Sequence, residues 1–230
     1  MNSSVRKLLL WTAIGTATTL SAQNLDKQWD NGGGDQDWSN PLNWSGDALP
    51  ATGTGNNGDN LHFNTPPGSH AIYTAAQGTS VYRSIRIGDT AGGNNAVLEM
   101  TGGNLSSDNT TQTRIATGGR TATLNQSGGT LSFGGYMQVG LDPNSVGHIN
   151  LSGGTLISAR NGTVGGVPNV SIALGDGSNA QGNIVVSGGE LRTRTGVLLG
   201  ANGGRGRVEV RGGGIANIGA ENAADDGFWV

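Results

Sequence analysis

Pairs of adjacent glycines recur along the chain, each between two short runs in which apolar and polar residues alternate. Successive pairs are 26, 25, 35 and 24 residues apart, and they begin at Gly102, Gly128, Gly153, Gly188 and Gly212. Alternation with a period of two predicts β-strands with one buried face. A unit of about 25 residues cannot bury its own apolar face, so we expect equivalent strands to stack on one another.

Alignment on the glycine pairs brings apolar residues into columns. The first column holds Leu98, Leu124, Ile149, Ile184 and Val208; the second holds Met100, Gln126, Leu151, Val186 and Val210; the third, after the glycines, holds Leu105, Leu131, Leu156, Leu191 and Ile215. A further strand supplies Ile87, Ile115, Val139, Leu174, Leu199 and Ile218, each followed by Gly or, once, by Ala116.

These columns predict an all-β fold, a right-handed parallel β-helix (solenoid) over residues 80–230. The 35-residue step predicts an inserted loop within residues 157–173, off the third coil. A twisted antiparallel sandwich is the alternative, but its strands have no reason to repeat the same residue types at the same offsets.

Composition excludes several other folds. Glycine makes up 43 of 230 residues, against a usual share of about 7%, and this content disfavours ordinary helical packing. Six prolines and no glycine at every third position exclude collagen. The chain has no cysteine, so backbone ladders and packing must hold the fold.

The N-terminal residues predict export. Arg6 and Lys7 precede an apolar stretch from Leu8 to about Ala17, and small residues end at Ala22, so residues 1–22 are predicted to be a signal peptide. The stretch is shorter than the roughly 20 residues of a membrane-spanning helix. We therefore expect a secreted or cell-surface protein whose mature chain does not span a membrane.

Residues 23–79 are rich in Trp, Asp and Gly and are predicted to cap the first coil. A solenoid needs such a cap because an uncovered terminal coil exposes its core and its strand edges. The tryptophans Trp29, Trp38 and Trp44 are expected to plug that end. Exposed tryptophans can instead stack on sugar rings, which makes the same three residues candidates for glycan binding.

The alternation of xVxVSGGxLxx with xxIGxxxGxxG over about residues 80–219 resembles the Gly-rich repeat of bacterial autotransporter passenger regions and PEP-CTERM exoproteins. The stretch WDNGGGDQDWSNPLNWSGDALPATGTGNNGDNLHF is similar to the leader that often precedes such repeats. The resemblance implies a secreted β-helical stalk displayed on a Gram-negative envelope. Because the sequence lacks the C-terminal segments typical of these families, we expect further coils, or the remainder of a longer chain, beyond Val230.

Arginine offers a second set of candidate glycan-binding residues. The last two complete coils carry Arg192, Arg194, Arg205, Arg207 and Arg211. Arginine binds carboxylate and sulfate groups bidentately, so an anionic extracellular polysaccharide is the partner that these residues predict, lying across one face. A solvated charged rim is the competing interpretation.

No catalytic residue, metal ligand or cofactor site is predicted. Glu190 and Glu209 can approach each other on adjacent coils, but no third partner is evident for glycoside chemistry. The spacing of His62, His70 and His148 gives no triad or zinc site, and that of Asp30, Asp35, Asp37 and Asp59 gives no calcium motif. No dense basic run indicates nucleic acid.

We therefore predict a structural or adhesive surface protein that forms a stalk and is not an enzyme. The alternatives are a polysaccharide-binding module and a polysaccharide lyase or hydrolase of the β-helix type.

Overall fold

The computed structural model describes residues 25–55, 57–64, 70–89, 95–108, 112–160, 162–164, 166–219 and 228–229. The predicted signal peptide, residues 1–22, lies outside the described residues. Short 3₁₀ helices occupy Pro41–Asn43, Ala75–Gln77 and Ala201–Gly203. The strands are β1 (Asp26–Trp29), β2 (Asn60–Phe63), β3 (Ala71–Tyr73), β4 (Thr79–Tyr82), β5 (Ser84–Ile87), β6 (Ala96–Met100), β7 (Asn104–Ser107), β8 (Thr113–Ile115), β9 (Thr121–Gln126), β10 (Thr130–Phe133), β11 (Met137–Leu141), β12 (Val146–Leu151), β13 (Thr155–Ser158), β14 (Gly162–Val164), β15 (Val167–Asp176), β16 (Gln181–Val186), β17 (Glu190–Thr193), β18 (Gly196–Leu199), β19 (Arg205–Val210), β20 (Ile215–Asn217) and β21 (Phe228–Trp229).

The strands form three sheets. Counted from β3, each of six coils contributes one strand to each sheet, and β1, β2 and the antiparallel strand β14 are additional members of the first sheet. The first sheet has the order β1-β2-β5-β8-β11-β15-β18-β21, the second β3-β6-β9-β12-β16-β19 and the third β4-β7-β10-β13-β17-β20. Neighbours within each of these orders are parallel, which confirms the predicted parallel β-helix over six stacked coils. No helix in the described part of the chain is both long and apolar enough to cross a membrane.

The first predicted column is a ladder of buried side chains in the second sheet. Leu98 pairs with Leu124, and the ladder continues through Ile149 and Ile184 to Val208. The first four side chains are fully buried. Equivalent residues therefore stack coil on coil, and the apolar positions of one coil cover those of the next.

The glycine pairs let successive coils approach closely at the corner between the second and third sheets. Gly129 has a φ of 72°, in the left-handed region that favours glycine. A Cβ atom on Gly128 would overlap the carbonyl oxygen of Thr101 in the preceding coil, and one on Gly153 would overlap that of Ser127. Larger residues at these corners would force the coils apart.

Two members of the predicted columns are wrong, both in the last coil. A third glycine at 212–214 adds one residue to the turn, so Ala216 rather than Ile215 pairs with Leu191. Ile215 is consequently 52% exposed. Ile218 was predicted to continue the strand of Ile87 and Leu199, which is in the first sheet. Instead it follows β20 of the third sheet, and the first sheet ends with β21, in which Phe228 pairs with Val197.

The tryptophans form the predicted cap. Trp29, Trp38 and Trp44 are 0%, 3% and 0% exposed. The ring centroid of Trp44 lies 5.2 Å from that of Trp29 and 5.0 Å from that of Trp38, both in edge-to-face geometry. The ring of Trp38 also meets Tyr73 of the first coils at 4.9 Å. This aromatic cluster closes the N-terminal end of the core.

The cap backbone also covers a strand edge of each sheet. At the first sheet, the N–H of Ser45 donates to the carbonyl of Gln28 in β1. At the second sheet, the main-chain carbonyl of Gln36 accepts from the N–H of Ile72 in β3. At the third sheet, the N–H of Gly53 donates to the carbonyl of Val81 in β4. Coiling begins within the segment assigned to the cap from sequence, because β1, β2 and β3 already belong to the sheets.

The predicted inserted loop forms a hairpin between β13 and β15. Strand β14 pairs antiparallel with the start of β15. Its apolar residues make a small second core on the outer face of the first sheet, consisting of Val164, Val170, Ala173 and Leu198 with Tyr136, Val167 and Ala201 against them.

Candidate functional site: an arginine groove on the third sheet

A groove of about 320 Å³ lies on the outer face of the third sheet, next to the base of the inserted hairpin. Its lining residues are Ile157, Ser158, Ala159, Arg192, Thr193, Arg194 and Asn217; we call it the arginine groove. Leu156 and Leu191 point into the core, so the residues that follow them in β13 and β17 point outward. Strand pairing places Ile157, Arg192 and Asn217 side by side in one row.

Buried hydroxyl groups fix the backbone beneath the groove. Ser158 Oγ donates to the carbonyl of Ser171 at 2.8 Å, and Thr193 Oγ1 donates to that of Thr195 at 2.5 Å. The N–H of Arg194 donates to the carbonyl of Ser158 at 3.1 Å. The two hydroxyl bonds are buried and are linked through Ser171 Oγ, which lies 3.0 Å from Thr195 Oγ1, so the groove rests on a rigid base.

Glu190 orients one of the two arginines. Its Oε1 lies 2.9 Å from Arg192 Nε and accepts a 2.6 Å hydrogen bond from Asn217 Nδ2. The hydrogen bond from Arg192 is the main cause that lowers the pKa of Glu190. The same bond raises the pKa of Arg192, whose side chain is still 53% exposed.

The guanidinium of Arg194 is exposed and has no hydrogen bond or ion pair with any residue that the structure describes. Arg160 follows Ala159 where the chain enters the hairpin, and it is also exposed. The groove therefore carries more positive than negative charge, with Glu190 alone opposing Arg192 and Arg194.

The other three predicted arginines lie elsewhere, so the five do not share one face. Arg205 and Arg207 belong to β19 in the second sheet, and Arg211 follows that strand. Glu209 Oε2 lies 2.6 Å from Arg207 Nη2, and Glu209 Oε1 lies 3.5 Å from Arg211 Nη1. The two sets sit on different sheets because β17 belongs to the third sheet and β19 to the second.

The same separation applies to the two glutamates considered for glycoside chemistry, since Glu190 lies on the third sheet and Glu209 on the second.

The three tryptophans are buried in the cap, with their rings packed on one another. The folded cap thus favours a packing role for them over stacking on sugars.

A polar cluster on the first sheet was missed by the sequence analysis. His62 Nδ1 lies 3.1 Å from both carboxylate oxygens of Asp89, and its Nε2 lies 3.6 Å from Asp26 Oδ1. Arg86 Nη1 lies 3.7 Å from Asp89 Oδ2. One signal was available, because His62 and Arg86 each stand one residue before a buried residue of the first-sheet ladder.

Burial alone would lower the pKa of His62, but the hydrogen bond and charge of Asp89 raise it above the ordinary value. Burial likewise opposes ionisation of Asp89, whereas its hydrogen bond with His62 and the charges of His62 and Arg86 lower its pKa overall. The nearby hydroxyl of Ser84 donates to Asn60 Oδ1 at 2.8 Å. These contacts describe a charged clamp between coils rather than a nucleophile and its base.

Carboxylates in the cap stabilise turns. Asp35 accepts hydrogen bonds from Asn43 Nδ2 at 2.6 Å and from Asn40 Nδ2 at 2.7 Å, and these bonds lower its pKa. Asp59 accepts from the N–H groups of Leu25 and Ala51. The described residues include no group of three or more His, Cys, Asp or Glu side chains placed to hold a metal ion.

Comparisons with known proteins give no relative from which a function could be carried over: no protein-family model, no curated protein and no solved structure matches this chain.

Proposed function

We propose that the protein is an exported structural and adhesive element that holds surface material away from the cell as a rigid stalk. The observation that supports this proposal is the core. One continuous cluster of buried side chains runs from Trp29 in the cap to Val197 in the fifth coil, with Val208 of the sixth packed against it. Because stacked coils share this core, the solenoid is expected to resist bending as one body.

Export is the part of the proposal that rests on residues 1–22 and on the resemblance to autotransporter and PEP-CTERM repeats. Under this proposal, the mature chain lies outside the cell or on a Gram-negative surface. Expression of the full chain in a Gram-negative host, followed by N-terminal sequencing of the extracytoplasmic product, tests this step. We expect the mature chain to begin at Gln23; an uncleaved cytoplasmic product would contradict export.

The stalk is tested by placing the mature chain between an outer-membrane anchor and a fluorescent domain. Energy transfer from that domain to a membrane dye reports its height. We expect a narrow distribution of donor lifetimes, because stacked coils hold the fluorescent domain at one height, whereas a Gly/Ser linker of equal residue number samples many end-to-end distances. An equally broad lifetime distribution for the two would contradict a rigid stalk.

A polysaccharide-acting role is the second candidate, and the arginine groove is the observation that favours it. Incubation of the purified chain with polyuronates, with release of unsaturated or reducing ends as the readout, separates binding from turnover. Turnover above that of a heat-inactivated sample would replace the structural proposal with the enzymatic one. Binding without turnover is what the groove predicts.

A further inference from the structure

We propose that the arginine groove binds an acidic sugar chain that runs along the solenoid axis, with its carboxylate or sulfate groups held by Arg192 and Arg194. This inference goes beyond the stalk proposal, and either can fail while the other stands.

The row Ile157, Arg192 and Asn217 offers three different contacts at a regular spacing. Adjacent strands of a sheet are about 4.8 Å apart, which is close to the length of one sugar residue in an extended chain. A chain along the axis would thus meet one outward side chain per coil. Ile157 suits the apolar face of a pyranose ring, Arg192 an acidic substituent and Asn217 a hydroxyl group.

Charge in the groove favours an anion. The ion pair with Glu190 uses Arg192 Nε, and neither terminal nitrogen of Arg192 is bonded to a described residue. The guanidinium of Arg194 is likewise without a partner there. Arginine forks bind carboxylate and sulfate in bidentate geometry, so these two side chains present unused donors beside a rigid floor.

The arginines of the second sheet are a weaker candidate for the same ligand. Glu209 occupies both Arg207 and Arg211, which leaves Arg205 as the unpaired cation of β19. They nevertheless provide a matched control, because they carry the same side chain on a neighbouring sheet of the next coil.

The experiment uses the mature chain and isothermal titration with four probes: an oligogalacturonate, a heparin-derived oligosaccharide, a neutral dextran of similar length and inorganic sulfate. We expect at least one acidic oligosaccharide to bind, dextran to show no binding, and sulfate to bind far more weakly than the oligosaccharide. Arg192→Gln and Arg194→Gln should each weaken binding about tenfold or more, as expected for loss of a charged hydrogen bond. Arg205→Gln and Arg207→Gln should leave it within about twofold.

All four positions are exposed, and unfolding midpoints of the variants verify that the fold is intact. Absence of binding by both acidic oligosaccharides would overturn the proposal. Equal loss in the groove and second-sheet variants would reduce it to general attraction of a polyanion. Sulfate that binds as tightly as the oligosaccharide would show an isolated anion site and would overturn the role of a sugar chain.

Discussion

The side-chain amide of Gln126 donates a 3.0 Å hydrogen bond to the main-chain carbonyl of Thr155 in the next coil. Gln126 is 1% exposed and occupies an apolar column of the second sheet between Met100 and Leu151. Its Nε2 also donates to the carbonyl of Gly129 at 3.2 Å, whereas Oε1 is buried without a partner among the described residues. One half of the amide is therefore satisfied and the other half is not.

We predict that Gln126→Leu leaves the free energy of unfolding unchanged or raises it. The substitution removes the unpaired Oε1, which costs about 1 to 3 kcal/mol when buried, and Gly129 O keeps the hydrogen bond from Thr155 N. Denaturant midpoints at constant slope measure the change. The control is Asn125→Leu on the outward face of the same strand, which should have little effect. A loss of more than about 2 kcal/mol in Gln126→Leu would show that its donated bonds dominate.

Leu151→Asp should be severe, because the same column would then bury a carboxylate between Gln126 and Val186. We expect a loss of more than about 4 kcal/mol or failure to fold. Asn150→Asp, on the adjacent outward position, serves as the control and should cost less than about 1 kcal/mol. Equal tolerance of the two changes in denaturant unfolding would contradict the inward register of Leu151.

Much of the fold was predictable because it repeats. The ladder from Leu98 to Val208 could be aligned from the glycine pairs, since close contact of coils requires glycine at the same place in each. Prediction was wrong at Ile215, where one added glycine shifts the register and no local pattern shows which glycine is extra.

The sites were harder to predict. Arg192 follows its glycine pair and Arg207 precedes its own, but the directions in which the two strands face depend on how the chain turns at the glycine corner.

Ala116→Gly is predicted to stabilise the protein. Ala116 has a φ of 63°, in the left-handed region. The equivalent positions are Gly140 in β11 and Gly175 in β15, with φ of 72° and 68°. This conformation costs an L-residue about 1 to 2 kcal/mol, so glycine should raise the free energy of unfolding by about 1 kcal/mol after its greater entropy loss. Thermal and denaturant unfolding both report this change. Ala122→Gly, within strand β9, is the control and should destabilise; a loss in both variants would show that the Ala116 methyl group contributes more by packing than its backbone costs.

The clamp between His62 and Asp89 should make stability depend on pH in two ranges. The pKa of His62 is raised in the folded state, so its contribution is complete below the unfolded value of about 6.5 and is lost as pH rises through the folded value. The pKa of Asp89 is lowered, so its contribution is present above the unfolded value and is lost as the solution becomes strongly acidic. Urea midpoints measured from about pH 5 to 8 should fall at the upper end in the wild type. His62→Gln should remove that fall, whereas His148→Gln, on the second sheet, should preserve it; persistence of the fall in His62→Gln would assign it to another group.

The last coil is predicted to drive self-association of this chain. Its exposed apolar side chains include Val210 at 48% and Ile215 at 52%, and β19 and β20 stand at the ends of their sheets. A strand edge that also presents apolar residues invites pairing with another chain. Val210→Lys and Ile215→Lys should therefore lower the average mass in sedimentation equilibrium, because charge on an edge opposes pairing. The control is Leu42→Lys in the cap, where Leu42 is 51% exposed but lies in a 3₁₀ helix rather than on a strand edge. If Leu42→Lys lowers the average mass as much as the edge variants do, exposed apolar area rather than the strand edge causes the association. A monomeric wild type in the same experiment would contradict the prediction.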